Sequence, residues 1–378
     1  MNKNQLELKP LLKYPGGKTA ELPIIFKYAP EGVQKYIEPF LGGGAVYFAI
    51  HANEYYVNDK SEDLMCLYRY IKESNVDFFN ELETINNNWE LLSNISQNGF
   101  EQFGVILLKY KNKEIDKNQL VALVKNMVDE FENLDGPLFQ LENIQQPLFK
   151  TQLHKNIVSI IKRICKNEVS KERDLSEIEK KDNFECAIKS AYYMYFRELY
   201  NYPEKYTLSK PRTIAIFLFI REYCYSSMFR FNREGKFNVP YGGISYNGKS
   251  LSSKIDYYKS QELLTYLNNT NFYVEDFLSF VNRIQLTEND FMFLDPPYDT
   301  TFSEYDKNSF EQQDQVRLAQ YLINNCPCKF MVVIKKTDFI ENLYANDNLN
   351  IVEFDKNYFV SFKNRNKKKV KHLLIKNY

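Results

Sequence analysis

The chain has 378 residues, 44% hydrophobic and 26% charged, with 49 basic against 49 acidic side chains. That balance fits a globular protein of roughly two domains and excludes attraction to nucleic acid by bulk charge. Three scattered histidines, and six cysteines without a Cys-x-x-Cys pair, disfavour a zinc site, a histidine-based triad or a disulfide framework, and the lack of an 18-residue apolar run makes a cytoplasmic location the expectation.

The first distinctive stretch is "LLKYPGGKTAEL" (11–22), a Pro-Gly turn ahead of a helix expected to start near Thr19. A triphosphate-binding loop would need glycine where Leu12 stands, so the Gly17-Lys18-Thr19 string is a weak match to one. "VQKYIEPF" (33–40) reads as a strand running into "LGGGAVYFAIHA", a glycine turn expected to open a helix. "YYVND" (55–59) reads as a second strand, and "SEDLMCLYRYIKES" (61–74) as a helix with Ser61 at its cap. Gly42, Gly43 and Gly44 between a strand and a helix permit close backbone approach to a ligand, and Asp59 at the end of the next strand is placed to accept ribose hydroxyls. The full dinucleotide pattern is missing, because Tyr47 stands three residues after Gly44. That favours a cofactor with a ribose and no pyrophosphate.

From about Val76 to Cys186 strand alternation stops and amphipathic helices are expected, among them "QLVALVKNMVDEFENL" and "QLHKNIVSIIKRICK". Asp77–Glu185 carries 19 acidic and 14 basic residues, a net of −5, and "SKERDLSEIEKKDN" within it reads as an exposed linker or helix end. Lys189–Ser260 reverses the balance, with 12 basic against five acidic residues and interleaved aromatics; "FRFNREGKFNVPYGG" has a hairpin signal around Arg233-Glu234-Gly235. Taken alone, such a hairpin is a solvated turn. Strand character returns in "NFYVED" (271–276), "DFMFLDPPY" (290–298), "KFMVVIKK" (329–336), "NIVEFD" (350–355) and "VKHLLIKNY" (370–378), with Cys326-Pro-Cys328 as a turn bearing two thiols. Two N-terminal and five C-terminal strands imply one sheet interrupted by a long insertion. The most specific string is Asp295-Pro296-Pro297-Tyr298, in which two prolines fix an extended backbone after an apolar strand.

Together, "LLKYPGGK", "IEPFLGGGAVYF", "VNDKSEDL", "YYMYFRELYN", "FRFNREGKFNVPYG", "DPPY" and the closing "KVKHLLIKNY" resemble the Dam/DpnM type of DNA adenine-N6 methyltransferase. The resemblance covers the chain apart from about 76–186. It implies an α/β, Rossmann-like S-adenosylmethionine methyltransferase fold with a mostly parallel seven-stranded sheet, plus an inserted helical and hairpin-bearing DNA-recognition domain. The segments expected are 1–75 and 261–378 for the two parts of the catalytic domain, 76–188 for a helical insertion and 189–260 for target recognition.

For the site, the resemblance implies a catalytic set of Asp295, Pro296, Pro297 and Tyr298. S-adenosylmethionine, leaving as S-adenosylhomocysteine, would meet Tyr14, Lys18, Phe40, Gly42, Gly43, Gly44, Asp59, Asp276, Phe277 and Asp295, with no metal. Double-stranded DNA would meet Lys13, Arg230, Asn232, Arg233, Lys236 and Asn238, while Arg197 and Asn201 brace the recognition domain. Hairpin similarity implies a site containing GAT, of which GATC is one case. An adenine amine is a poor nucleophile because its lone pair is delocalised, so an acid and a carbonyl accepting its two N–H bonds suit this transfer. Tyr14 stands where many relatives have Trp. Lys335-Lys336 replaces small or amide residues, which leaves added phosphate contacts or neutrality open, as does "KNRNKKKVK" near the C-terminus. Whether a cognate restriction endonuclease acts separately is also open. The rival readings are a catalytically silent methylase-like DNA-binding protein, a P-loop ATPase disfavoured by Leu12, and a nuclease within 76–186, where no Pro-Asp…Glu-x-Lys set stands out.

Overall fold

The structure, a computed structural model, describes residues 8–14, 16–131, 141–298, 310–357 and 369–378. A 3-10 turn (Thr19–Glu21) leads into α1 (Leu22–Tyr28), β1 (Lys35–Glu38), a second 3-10 turn (Tyr47–Ala49), β2 (Glu54–Asn58) and α2 (Glu62–Lys72). Long helices follow: α3 (Val76–Lys111), α4 (Lys117–Glu130), α5 (Gln146–Lys171), α6 (Glu177–Asn201) and α7 (Lys210–Tyr223). Next come α8 (Ser252–Tyr258), α9 (Gln261–Asn268), β3 (Thr270–Tyr273), α10 (Phe277–Arg283) and β4 (Phe291–Leu294). The chain closes with α11 (Gln312–Asn324), β5 (Lys329–Lys335), α12 (Asp338–Leu343), β6 (Asn350–Asn357) and β7 (Lys369–Lys376). It divides into a sheet unit, residues 1–74, 228–236 and 258–378, and a helical unit, residues 75–227 and 237–257.

All seven expected strands form, in one sheet of order β3-β2-β1-β4-β5-β7-β6. The pairs from β3 through β5 are parallel, and β7 runs antiparallel to both β5 and β6. The unbroken apolar run Phe291–Leu294 is fully buried, as a central parallel strand requires. Ile37, Met292, Leu294, Phe330, Val332 and Ile334 share one core with Phe277, Phe280 and Val281 of α10 and Leu318 and Leu322 of α11. Strand order reverses at β1, which lies between β2 and β4. In open α/β sheets a ligand crevice opens beyond the carboxyl ends of the strands at such a reversal. Here those ends are Glu38 and Leu294, immediately before Pro39-Phe40 and Asp295-Pro296.

One expected element shrinks. The helix anticipated after Gly44 is a single 3-10 turn, Tyr47–Ala49. Tyr47 and Phe48 are both buried. The Tyr266 hydroxyl donates to the Tyr47 carbonyl and lies 3.2 Å from that of Ile50, so the Tyr47 carbonyl, which would continue a helix, already has a partner.

In the helical unit, Asn75 caps α3 by accepting from the Phe78 amide at 2.9 Å, and Asp116/Gln119 and Ser176/Glu179 form capping boxes on α4 and α6. The stretch expected to be a linker or helix end is divided: α5 stops at a left-handed Glu172, and α6 resumes at Glu177. Trp89, 1% exposed, packs 4.4 Å from the ring of Tyr223 and donates to the Lys249 carbonyl at 2.8 Å. Arg197 donates to the carbonyl of Val239 at 3.1 Å, and Asn201 exchanges two hydrogen bonds with the backbone of Phe237. No described helix is long and apolar enough to cross a membrane.

Candidate active site

The sheet unit brings the N-terminal motif, the glycine turn and Asp295 together at the strand-order reversal. Gly42 and Gly44 have φ of +50° and +74°. The Gly42 amide donates to Asp59 Oδ2 at 2.9 Å while Asp59 Oδ1 accepts from the Ser61 amide at 2.9 Å, so the carboxylate pins the turn to the end of β2. A Cβ on Gly43 would lie 3.0 Å from the Leu12 carbonyl and 3.1 Å from Tyr14 Cβ, and one on Gly44 would lie 2.7 Å from the Tyr68 hydroxyl. Glycine is needed here because the opening stretch sits directly on the turn.

That stretch folds back on itself through Gly17 N–H to Tyr14 O, 3.1 Å, and sends Lys18 inward. Lys18 is 2% exposed. Its ammonium donates to the Gly16 carbonyl at 3.0 Å, to the Tyr298 hydroxyl at 3.1 Å and to Asp295 Oδ2. Burial pushes the Asp295 carboxyl above the usual carboxylate range, against the opposing pull of Lys18. Glu38, at the tip of β1, is pushed well up by burial and accepts from the Tyr36 hydroxyl at 2.8 Å. The prolines after Asp295 carry no N–H, and Gln315 of α11, 1% exposed, donates to the Pro297 carbonyl at 2.8 Å. The ring of Tyr298 meets that of His372 edge-on, 5.4 Å between centroids. His372 is held near a pKa of about 3 by burial and by Lys356, and so stays neutral. Lys356 in turn pairs with Glu21 at 2.6 Å.

A second cluster forms where β3 ends. Phe40 and Phe277 pack with tilted rings 5.7 Å apart, and Phe310 lies against both at 5.4 and 5.8 Å. Asp276 caps α10 through the Leu278 amide at 3.1 Å and receives Arg317 of α11 at 2.9 Å. Carboxylates, aromatic rings and backbone groups thus line this end of the sheet, a donor set chemically compatible with a nucleoside-bearing cofactor. Among the described residues no group of three or more His, Cys, Asp or Glu is placed to hold a metal.

Lys13, Asn232 and Arg233 are exposed, and Arg230, Lys236 and Asn238 are half-buried. Asn232 and Lys236 pair through backbone at 2.8 Å, and Asn232 Oδ1 accepts from the amides of Glu234 and Lys236 at 3.1 and 2.9 Å. The Asn232 oxygen thus builds the turn that presents Arg233. Phe229 anchors that segment within the sheet unit, 5.9 Å from Tyr14 and 4.9 Å from Phe231. Lys336 contacts Glu341 at 2.9 Å and Glu353 at 2.5 Å, so its charge is met within the protein.

The model of the D12 class N6 adenine-specific DNA methyltransferases matches residues 14–133 and 152–359. The chain belongs to this family. It is 25% identical over 361 residues to the type II methyltransferase M.MjaIII of Methanocaldococcus jannaschii, covering 91% of this chain and 90% of the relative. It is 22% identical over 387 residues to the type II methyltransferase M1.LlaDCHI of Lactococcus lactis subsp. cremoris, covering 100% and 98%. A shorter match, 27% over 173 residues, joins it to the DNA adenine methylase of Salmonella typhi, covering 43% of this chain and 58% of that one. The Gly-rich turn and the Asp-Pro-Pro-Tyr string, about 250 residues apart in the chain, reach the same end of the sheet because they follow the neighbouring parallel strands β1 and β4. Sequence reasoning missed Gln315, Arg317, His372 and Lys356, single polar residues in ordinary helix or strand patterns; only their burial and partners set them apart.

Proposed function

We propose that the chain transfers a methyl group from S-adenosylmethionine to N6 of an adenine turned out of duplex DNA at a specific sequence. The observation that supports this most is the Lys18 bridge: the stretch seated on the glycine turn reaches the carboxylate of Asp295. S-adenosylmethionine supplies an electrophilic methyl group on a sulfonium centre. In this reading Tyr14, Lys18, the backbone of Phe40 to Gly44, Asp59, Asp276, Phe277 and Asp295 surround it. With Oδ2 of Asp295 taken by Lys18, Oδ1 and the Pro296 carbonyl accept the two N–H bonds of the target amine. That holds the nitrogen lone pair toward the methyl, and positioning and electrostatics carry the rate. Tyr298 offers a ring to the extruded base, which costs a few kcal/mol to unstack. The proton released after transfer has an acceptor in Asp295, whose burial raises its affinity for one.

We further assign 189–260 to target recognition, with Lys13, Arg230, Asn232, Arg233, Lys236 and Asn238 on DNA, and 76–188 to a helical insertion. A site containing GAT, a cytoplasmic setting, and a separate endonuclease cutting the unmethylated site complete the reading. The type II names of the full-length relatives support the last of these. Labelled methyl transfer to duplex DNA, followed by modified-base sequencing of DNA from an expressing host, tests it. Methylated adenine in one recurring sequence is expected. No transfer, with DNA binding retained, would favour a silent DNA-binding protein.

A further inference from the structure

The residues read above as the adenine end of the donor site have an unassigned neighbour. Arg317, on the first half of α11, points its guanidinium at Asp276: Nη2 lies 2.9 Å from Oδ1 and Nη1 lies 3.5 Å from Oδ2. The same Nη1 donates to Asp314 at 2.7 Å, and the guanidinium carbon stands 5.1 Å from the centre of the Phe277 ring. One side chain therefore touches both residues of the Asp276-Phe277 pair, from an element 41 residues away.

The contacts divide the Asp276 carboxylate unequally. Oδ1 accepts both the Leu278 amide at 3.1 Å and Arg317 at 2.9 Å, which uses its two lone pairs. Among the described residues Oδ2 has longer approaches, Arg317 at 3.5 Å and Lys60 at 3.8 Å, which leaves a lone pair on that oxygen for a ligand donor. A planar fork also fixes the rotation of the carboxylate in a way a single ammonium does not. We propose that Arg317 is a positioning residue for the donor: it orients Asp276 so that Oδ2 accepts the exocyclic amine of the donor's adenine, and thereby sets the preference for adenosine over an inosine-type donor. This rests on the reading that Asp276 meets the donor's base. A keto oxygen in place of the amine would face the fixed carboxylate acceptor with no hydrogen to share, and the site would reject it.

The test measures binding of S-adenosylhomocysteine and S-inosylhomocysteine to the full chain by calorimetry, for wild type, Arg317→Met, Arg317→Lys and Asp276→Asn. Wild type should prefer the adenine compound by at least about tenfold, as one charge-assisted hydrogen bond allows. Arg317→Met should lose most of that preference, raising the KM for S-adenosylmethionine with kcat at saturating donor little changed. Arg317→Lys, which keeps the charge and serves as the reading if the methionine variant does not fold, should fall between. A structural role alone would weaken both compounds equally and leave their ratio intact, which overturns the proposal. If Asp276→Asn leaves the ratio untouched, the assignment of Asp276 to the donor base fails; if that ratio collapses while both Arg317 variants keep it, Arg317 alone is excluded.

Discussion

At Asp295 two opposed effects act on one carboxyl. Burial raises it and the Lys18 ammonium draws it back, with burial ahead. In the proposed function transfer needs the ionised form as acceptor, so activity should fall as pH drops through a pKa above the ordinary carboxylate value. Lys18→Met removes the stabilising cation and should move the acid limb of kcat/KM to higher pH, whereas Lys18→Arg should hold it near the wild-type position. An unmoved limb in the methionine variant would separate Lys18 from the chemistry. Asp295→Ala should lower methyl transfer by at least about a hundredfold, the scale of losing one preorganised electrostatic partner. Filter binding should find its affinity for DNA largely kept, because the proposed function has Asp295 accept an amine rather than grip phosphate.

Among the elements, the glycine turn carries the tightest constraint. Gly44 combines φ of +74° with a Tyr68 hydroxyl 2.7 Å from where a Cβ would stand. Gly44→Ala should therefore cost about 1–3 kcal/mol, measured by urea unfolding, and Tyr68→Phe in the same chain should recover part of it. The turn around Arg233 answers to a different measurement. Arg233→Ala should relax sequence choice by about 1–3 kcal/mol per lost base contact, seen as methylation spreading to near-cognate sites while the rate at the best site changes less. Unchanged preference would remove Arg233 from the reader. The strands were legible because runs such as "FMFL" and "FMVVI" satisfy burial on two faces, and the Asp-Pro-Pro-Tyr and glycine strings were legible because few residue types fit those backbones. The short 3-10 turn at Tyr47 was not, since its end is set by Tyr266, more than 200 residues away. The clasp of Gln315 on Pro297 was hidden for the same reason: a glutamine in an amphipathic helix looks like any solvated one until its burial is known.

On the scale of the whole molecule, a formally neutral chain must gather its affinity for a polyanion locally. Replacing Arg230 or Lys236 by alanine should lower the slope of log affinity against log salt by about one unit each where the side chain meets phosphate. A cation set spread evenly over the surface would give smaller, indistinct changes. The sheet unit is assembled from three separate stretches of chain and the helical unit from two, so the sheet cannot close until its last strands have been made. Trp89 is the sole tryptophan, sealed among Tyr223, Phe219 and Tyr241 of the helical unit at centroid distances of 4.4, 5.6 and 5.8 Å. Its emission is consequently a private optical channel onto that half of the chain, while uptake of the methyl donor, in the proposed function, tracks the other half. Warming one sample and following both signals would reveal whether the two halves surrender together or in turn.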